Sequence, residues 1–461
     1  MEPITNSPAA PTPEPASVGH GLGVSQLTRR GFLRAAGVTG LAGVAATVAA
    51  CQAAGAPQWS FGPVPSVGAA SAAPSAVASA AASVAPSVAP SVAPSAAASP
   101  SVAPSASANP DIPAGWTDHD VAARQVVRRY VGNLAPALEG IYGPEAFAQL
   151  ADILGAADNY PELAIKPAFV QVPQVVLNDI LDPLKAETDG EWKVFRISID
   201  EIQQAIDEMK PTVAALGYNK QTPGPTIRVT EGDKVRAIFT NNLKETTGVH
   251  FHGVEFDNFF MDGVPFVTQK PFAPGESFTY EFTANRPGTL MYHSHHNATD
   301  QVGRGLLGGF IVDPRKPAAD DRYDREYSWI SNDVLGGFTI NGHGFPAVVP
   351  VLAAVGETVR VRFMNEGIMY HPFHSHGYKM KVVARDGYPL GQNAYYADTI
   401  TVGPGERWDV NITTDRIGVW AFHCHILPHV EGADGMFGMV NTLFVVPKAT
   451  DIDAIVQLLL A

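Results

Sequence analysis

A chain of 461 residues is long enough for two or three domains of ordinary size. Its formal charge of −14 argues against a nucleic-acid partner and suits cationic substrates, although bound metal ions would offset part of it. Charged residues make up only 16%, and the two cysteines, Cys51 and Cys424, each sit in a motif of their own, which argues against a disulfide between them.

Residues 28–34 read Thr-Arg-Arg-Gly-Phe-Leu-Arg, a match to the twin-arginine export signal. The apolar stretch Ala35 to Ala50 is short for a membrane span and ends in Val48-Ala49-Ala50-Cys51, which resembles a bacterial lipobox. Residues 1–51 are therefore expected to be an export signal, with Cys51 as the lipidated anchor of an extracytoplasmic protein held at the cell membrane. Residues 52–110 collapse largely to Ala, Ser, Pro and Val, with Ser-Val-Ala-Pro recurring. Such a segment buries too little apolar surface to fold, and at polyproline pitch it reaches on the order of 180 Å. Residues 111–190 read as a partly helical extension, with Phe147, Leu150 and Leu154 at helical spacing behind Pro144-Glu145. No metal or nucleophile pattern occurs there, and His119 stands alone, so a packing role is expected.

From about Glu191 the chain turns to short strands punctuated by Gly, Pro and Asn, the texture of an all-β fold of Greek-key β-sandwiches. Residues 191–316 and 317–447 form two such domains, and 448–461 reads as a short C-terminal helix. The two domains are copies. Val229 to Asn241 overlays Ala353 to Asn365 without a gap, sharing Gly232/Gly356, Val235/Val359, Arg236/Arg360, Phe239/Phe363 and Asn241/Asn365. At the same offset His250-Phe-His252-Gly falls on His374-Ser-His376-Gly, and Asp262-Gly263 on Asp386-Gly387. A second block places His293-Ser-His295 on His423-Cys-His425.

Side chains alternate across a strand, so His423 and His425 look to one face and Cys424 to the other. A thiolate with two imidazoles and a distant thioether defines a blue-copper electron-transfer site, and one strand can thus serve two metal centres. The copies differ where such a mononuclear site would lie. His371, Cys424 and His429 of the second face Thr247, Ser294 and Thr299 of the first. Ten of the fourteen histidines fall at these motif positions, too many for strand histidines satisfied only by hydrogen bonds. His296 points away from His295's face, and His343, in Asn-Gly-His-Gly, reads as a turn residue.

His-Phe-His-Gly, Tyr292-His-Ser-His, His371-Pro-Phe-His-Ser-His-Gly and His-Cys-His-Ile-Leu-Pro-His429 resemble the four copper motifs of multicopper oxidases, over about residues 191–447. With two cupredoxin-like domains the chain resembles the two-domain, small-laccase-like members. The resemblance implies about four copper ions per chain. It gives His371, Cys424 and His429 to type 1 copper, His250 and His374 to type 2, and His252, His293, His295, His376, His423 and His425 to the type 3 pair. It implies a small reducing substrate (a phenol, an aromatic amine or a metal ion), oxidised at type 1 copper while dioxygen is reduced to water at a trinuclear cluster. It implies a homotrimer with clusters between chains, because each domain holds half of the cluster ligands. Asp262 is a candidate acid beside type 2 copper, competing with a plain Asp-Gly turn. For the axial thioether the gapless repeat sets Met436 on Leu306 and Met439 on Gly309, which favours Met436 over Met439. A copper nitrite reductase-like enzyme fits less well, since its type 1 copper lies in the first domain. A non-catalytic copper-binding electron-transfer protein would leave the eight paired histidines idle.

Overall fold

The computed structural model describes residues 116–132, 135–154, 183–207, 210–318 and 321–460. The export signal, the lipobox cysteine and the linker to residue 110 lie outside them.

Each copy is a sandwich of two sheets. In the first, one sheet carries Glu187–Asp189, Trp192–Gln204, Lys234–Asn241 and Ser277–Thr283, with Val213–Tyr218 paired to Trp192–Gln204. The facing sheet orders Gly224–Thr230, Leu307–Asp313, Gly288–Ser294 and Val249–His252. The second copy repeats the plan, with His371–Ser375 and Gly418–Cys424 as neighbours in one sheet and Thr358–Asn365 in the other. Lys234–Asn241 alternates half-buried and buried residues along its length, as its sequence predicts. The first strand begins at Glu187, slightly before the expected boundary.

Each sandwich has its own core. In the second, Trp329 is wedged edge-on against Phe363 and Phe373 and tilted against Phe422. Truncating one of these rings costs on the order of 3–5 kcal/mol. Phe422 is the inward neighbour of His423, so the core grips the very strand that presents the ligands.

The extension forms three helices, Asp118–Gly132, Ala135–Tyr142 and Pro144–Leu154. Val126 and Leu138 are buried in the core of the second copy, and the Tyr142 hydroxyl donates to the carbonyls of Gly418 and Val445. His119 is not alone: its Nδ1 lies 3.0 Å from the Ala433 carbonyl oxygen. The C-terminal helix Ala449–Leu460 adds Ile452 and Ile455 to the same core.

The two copies are joined through buried and half-buried ionic groups. Arg362 reaches Asp409 at 2.9 Å and the Thr289 hydroxyl of the first copy at 2.7 Å. Arg228 of the first copy pairs with both Asp313 and Glu326. Removing one partner of such a network leaves an uncompensated buried charge.

Candidate metal centres

The strand Gly418–Cys424 pairs antiparallel with His371–Ser375, setting Cys424 opposite Phe373 and His423 opposite His374. Cys424 turns inward and a one-turn 3-10 helix, Leu427–His429, returns His429 beside it. His371, Cys424 and His429 are all buried, with one ligand atom each within 4.8 Å of the others. The Cys424 sulfur lies 4.0 Å from His371 Nδ1 and 3.7 Å from His429 Nδ1. This is a soft, borderline ligand set of the kind copper takes.

The site is aimed from behind by a residue that no motif announces. Asp333 Oδ2 lies 3.1 Å from His371 Nε2, and both side chains are wholly inaccessible. A carboxylate oxygen accepts, so Nε2 carries the proton and Nδ1 is left as the ligand atom. Burial alone would raise Asp333's pKa, but the His371 hydrogen bond and the amides of Ile368 and Met369 hold it below the ordinary carboxylate value. Phe338, equally silent in the sequence, stacks on His429 with ring centroids 3.9 Å apart. Burial pushes the Cys424 thiol up to about 11, so in the metal-free chain it keeps its proton. A metal must displace that proton to bind.

The other eight histidines form two quartets. In the first, His250 is within ring contact of His252, His293 and His295. In the second, His374 meets His376, His423 and His425. Local carbonyls choose the tautomers. His250 Nδ1 donates to the Asp262 carbonyl at 2.7 Å, His293 Nδ1 to Ser294 at 2.9 Å and His423 Nδ1 to Cys424 at 2.8 Å. Each of these rings therefore offers Nε2 to the centre of its quartet. Convergence is close: His376 Nε2 and His423 Nε2 are 3.0 Å apart. Burial and neighbouring positive groups push His252 down to about 3, and burial pushes His293 to about 4. Neutral imidazoles are the form that binds metal.

Among the described residues no imidazole of one quartet touches one of the other, although His252 lies against Gly405 of the second domain. The Asp262 side chain comes within 3.5 Å of His250 Nδ1, while its backbone carbonyl makes the shorter contact. Of the remaining histidines, His296 bonds to Thr246 Oγ1 at 2.9 Å, and His343 follows the left-handed Asn341-Gly342 turn, with burial pushing it down to about 4.

The strand register behind the thioether assignment needs a correction. In the first copy His293 lies opposite Leu307; in the second His423 lies opposite Val440. The second loop is thus three residues longer, and the gapless alignment that set Met436 on Leu306 fails. Backbone bonds agree: Ser294 N donates to Leu306 O, and Cys424 N donates to Met439 O. Met439 is fully buried, and its own amide bonds to the His429 carbonyl at 3.0 Å. Met436 sits instead in a small hairpin, opposite Glu431. The error arose because a loop insertion is invisible when the residues on both sides of it are Gly and apolar.

A buried His₂Cys set and two imidazole quartets on paired β-sandwiches define a duplicated copper protein of the cupredoxin type. Two multicopper oxidase domain models match residues 201–317 and 320–443, together just over half of the chain. The chain belongs to the multicopper oxidase family, and membership implies copper binding. It is 29% identical over 285 residues to Laccase-2 of Botryotinia fuckeliana, covering 52% of this chain and 48% of that one. It is 30% identical over 253 residues to the multicopper oxidase MmcO of Mycobacterium tuberculosis, covering 45% and 49%. The chain spans about half the length of these curated relatives. The blue copper oxidase of Nitrosomonas europaea superposes with a TM-score of 0.53 at 31% identity, over 55% of this chain and 86% of that one.

Proposed function

We propose that this chain is a laccase-like oxidase that takes single electrons from a small reducing substrate and reduces dioxygen to water. The observation that carries the reading is the double use of one strand. Cys424 faces His371 and His429, while His423, bonded through Nδ1 to the Cys424 carbonyl, faces the second quartet. The path from thiol to quartet is a single residue long. Copper at the two kinds of centre would supply one-electron oxidation at the His371–Cys424–His429 set and dioxygen reduction at the quartets.

The chain's own residues prepare both. Asp333 fixes the His371 tautomer, and Met439, whose carbonyl accepts from the Cys424 amide, would supply the thioether. Carbonyls of Asp262, Asp398, Ser294 and Cys424 orient the quartet rings. The Asp262 carboxylate stands where it can hold a water or take a proton beside His250. Its counterpart Asp386 instead bonds to the Arg407 amide, so the two Asp-Gly turns are not equivalent.

Two separated quartets need a partner to close one cluster. The reading is a ring of three chains, each first domain facing the next chain's second domain. In support, His376 and His425 of the second quartet are exposed, and large exposed apolar side chains lie near the histidine motifs in sequence: Phe259, Phe260 and Phe266 in the first copy, Tyr370 and Leu427 in the second. Export by the twin-arginine route and lipid anchoring at Cys51 complete the proposal. Oxygen uptake by the copper-loaded chain with a phenol, an aromatic amine and Fe²⁺ as donors tests the activity. Nitrite reduction without oxygen uptake would move the chain to the nitrite reductase class. Neither reaction, with the blue band present, would make it an electron carrier. An active monomer in light scattering would refute the ring.

A further inference from the structure

The type 1 ligands are screened from solvent. His371 and Cys424 are fully buried, and His429 is 1% exposed. The burial of His429 is not inherited from the fold, because Thr299, at the matching place in the first copy, is exposed. Phe338 covers the ring directly, and a helix outside the repeat packs on the loop that follows it. Phe338 lies nearly parallel to the His429 ring, tilted by 18°, at the end of a Gly336-Gly337-Phe338 loop, and is itself half-buried. The helix Asp118–Gly132 packs on the tip of the loop that runs from His429 to Met439. There a Cβ on Gly435 would come 2.5 Å from Ala123 Cα, so no side chain fits between them.

We propose that Phe338 is a specificity-determining residue that roofs His429. It selects donors that release an electron without touching the imidazole over phenols that must reach it. The inference rests on the oxidase reading for its consequence but not for its geometry. A phenol gives up one electron to copper and its O–H proton to solvent, and a hydrogen bond to the ligand imidazole helps both leave together. Hexacyanoferrate(II) gives up an electron alone. Phe338 covers one face of the imidazole and His429 is only 1% exposed, so no donor touches the ring while Phe338 stays in place, which hinders the first reaction more than the second.

The test begins on the copper-free full chain. Histidine carbethoxylation is followed by peptide mass spectrometry, with exposed His425 as the internal standard. In the unaltered protein His429 should react about tenfold or more slowly than His425, since a buried group reacts only through local opening. Phe338→Ala should remove most of that protection. In copper-loaded protein the same variant should raise the oxidation rate of 2,6-dimethoxyphenol relative to hexacyanoferrate(II), with the blue absorption retained. Phe338→Leu, which keeps an apolar contact, should fall between and serves if the alanine variant does not fold. The proposal is overturned if His429 is already as reactive as His425, or if neither variant changes its protection or the ratio of the two donors. Absence of any oxidase activity would defeat the oxidase reading while leaving the carbethoxylation result to decide the roof.

Discussion

The two sandwiches are the same machine with one part exchanged. Asn241 and Asn365 show how far the likeness goes. Each is buried, donates to two backbone carbonyls and accepts one amide, at Glu245, Phe272 and Leu243 in the first copy and at Met369, Val402 and Gly367 in the second. The copies part company at the inward end of the histidine strands. In the first, Thr247 and Ser294 both donate to the side-chain oxygen of buried Gln301, at 2.9 and 2.6 Å. Those two hydroxyls stand where His371 and Cys424 stand in the second copy. One amide therefore satisfies in the first domain what a metal ion would satisfy in the second. A pocket built for a cation can lose it only if its polar groups gain another partner.

The sharpest way to break the contrast is Cys424→Ser, which gives the second copy the first copy's residue. The blue absorption and substrate oxidation should vanish while copper at the quartets is retained. Continued turnover would end the electron-entry role of Cys424. Asp333→Ala comes next, because it frees His371 to turn. Loss of such a supporting group typically costs 10–100-fold in metal affinity. Copper titration followed at the blue band measures this, and an unchanged affinity would make Asp333 incidental.

Gln301→Ala attacks the other copy. It leaves the buried Thr247 hydroxyl short of a partner and Ser294 donating only to the His296 carbonyl at 3.2 Å, at a cost of about 1–3 kcal/mol. Thermal unfolding should shift downward while the blue band stays in place. A loss of blue colour without destabilisation would contradict the division of labour between domains. The smallest effect is expected from the methionines. Met439→Leu copies Leu306 and should raise the type 1 potential with little loss of copper; Met436→Leu should leave it nearly unchanged. Spectroelectrochemical titration of both variants decides, and the reverse pattern would restore Met436.

The sequence by itself determined the class of fold and picked out the histidines and the cysteine that the structure gathers into clusters. A strand's two-residue period sends His423 and His425 one way and Cys424 the other, and that rule needs no knowledge of neighbours. Duplication then identified the copy without the His₂Cys set, since Ser294 and Thr247 stand at those positions. What lay beyond the sequence has a common cause. Asp333, Gln301 and Phe338 act through contacts with residues far along the chain or across a loop, and none belongs to a periodic pattern. Met439 was ranked behind Met436 because strand register, set by hydrogen bonds between the histidine strand and the last strand, absorbs three inserted residues that an alignment of side chains ran straight through. That the two quartets of one chain stand apart followed only from the family resemblance, which places clusters between chains. Which half-sites meet depends on how two complete sandwiches are docked by Arg228, Arg362 and Thr289, and that is a property of packed surfaces rather than of any local stretch.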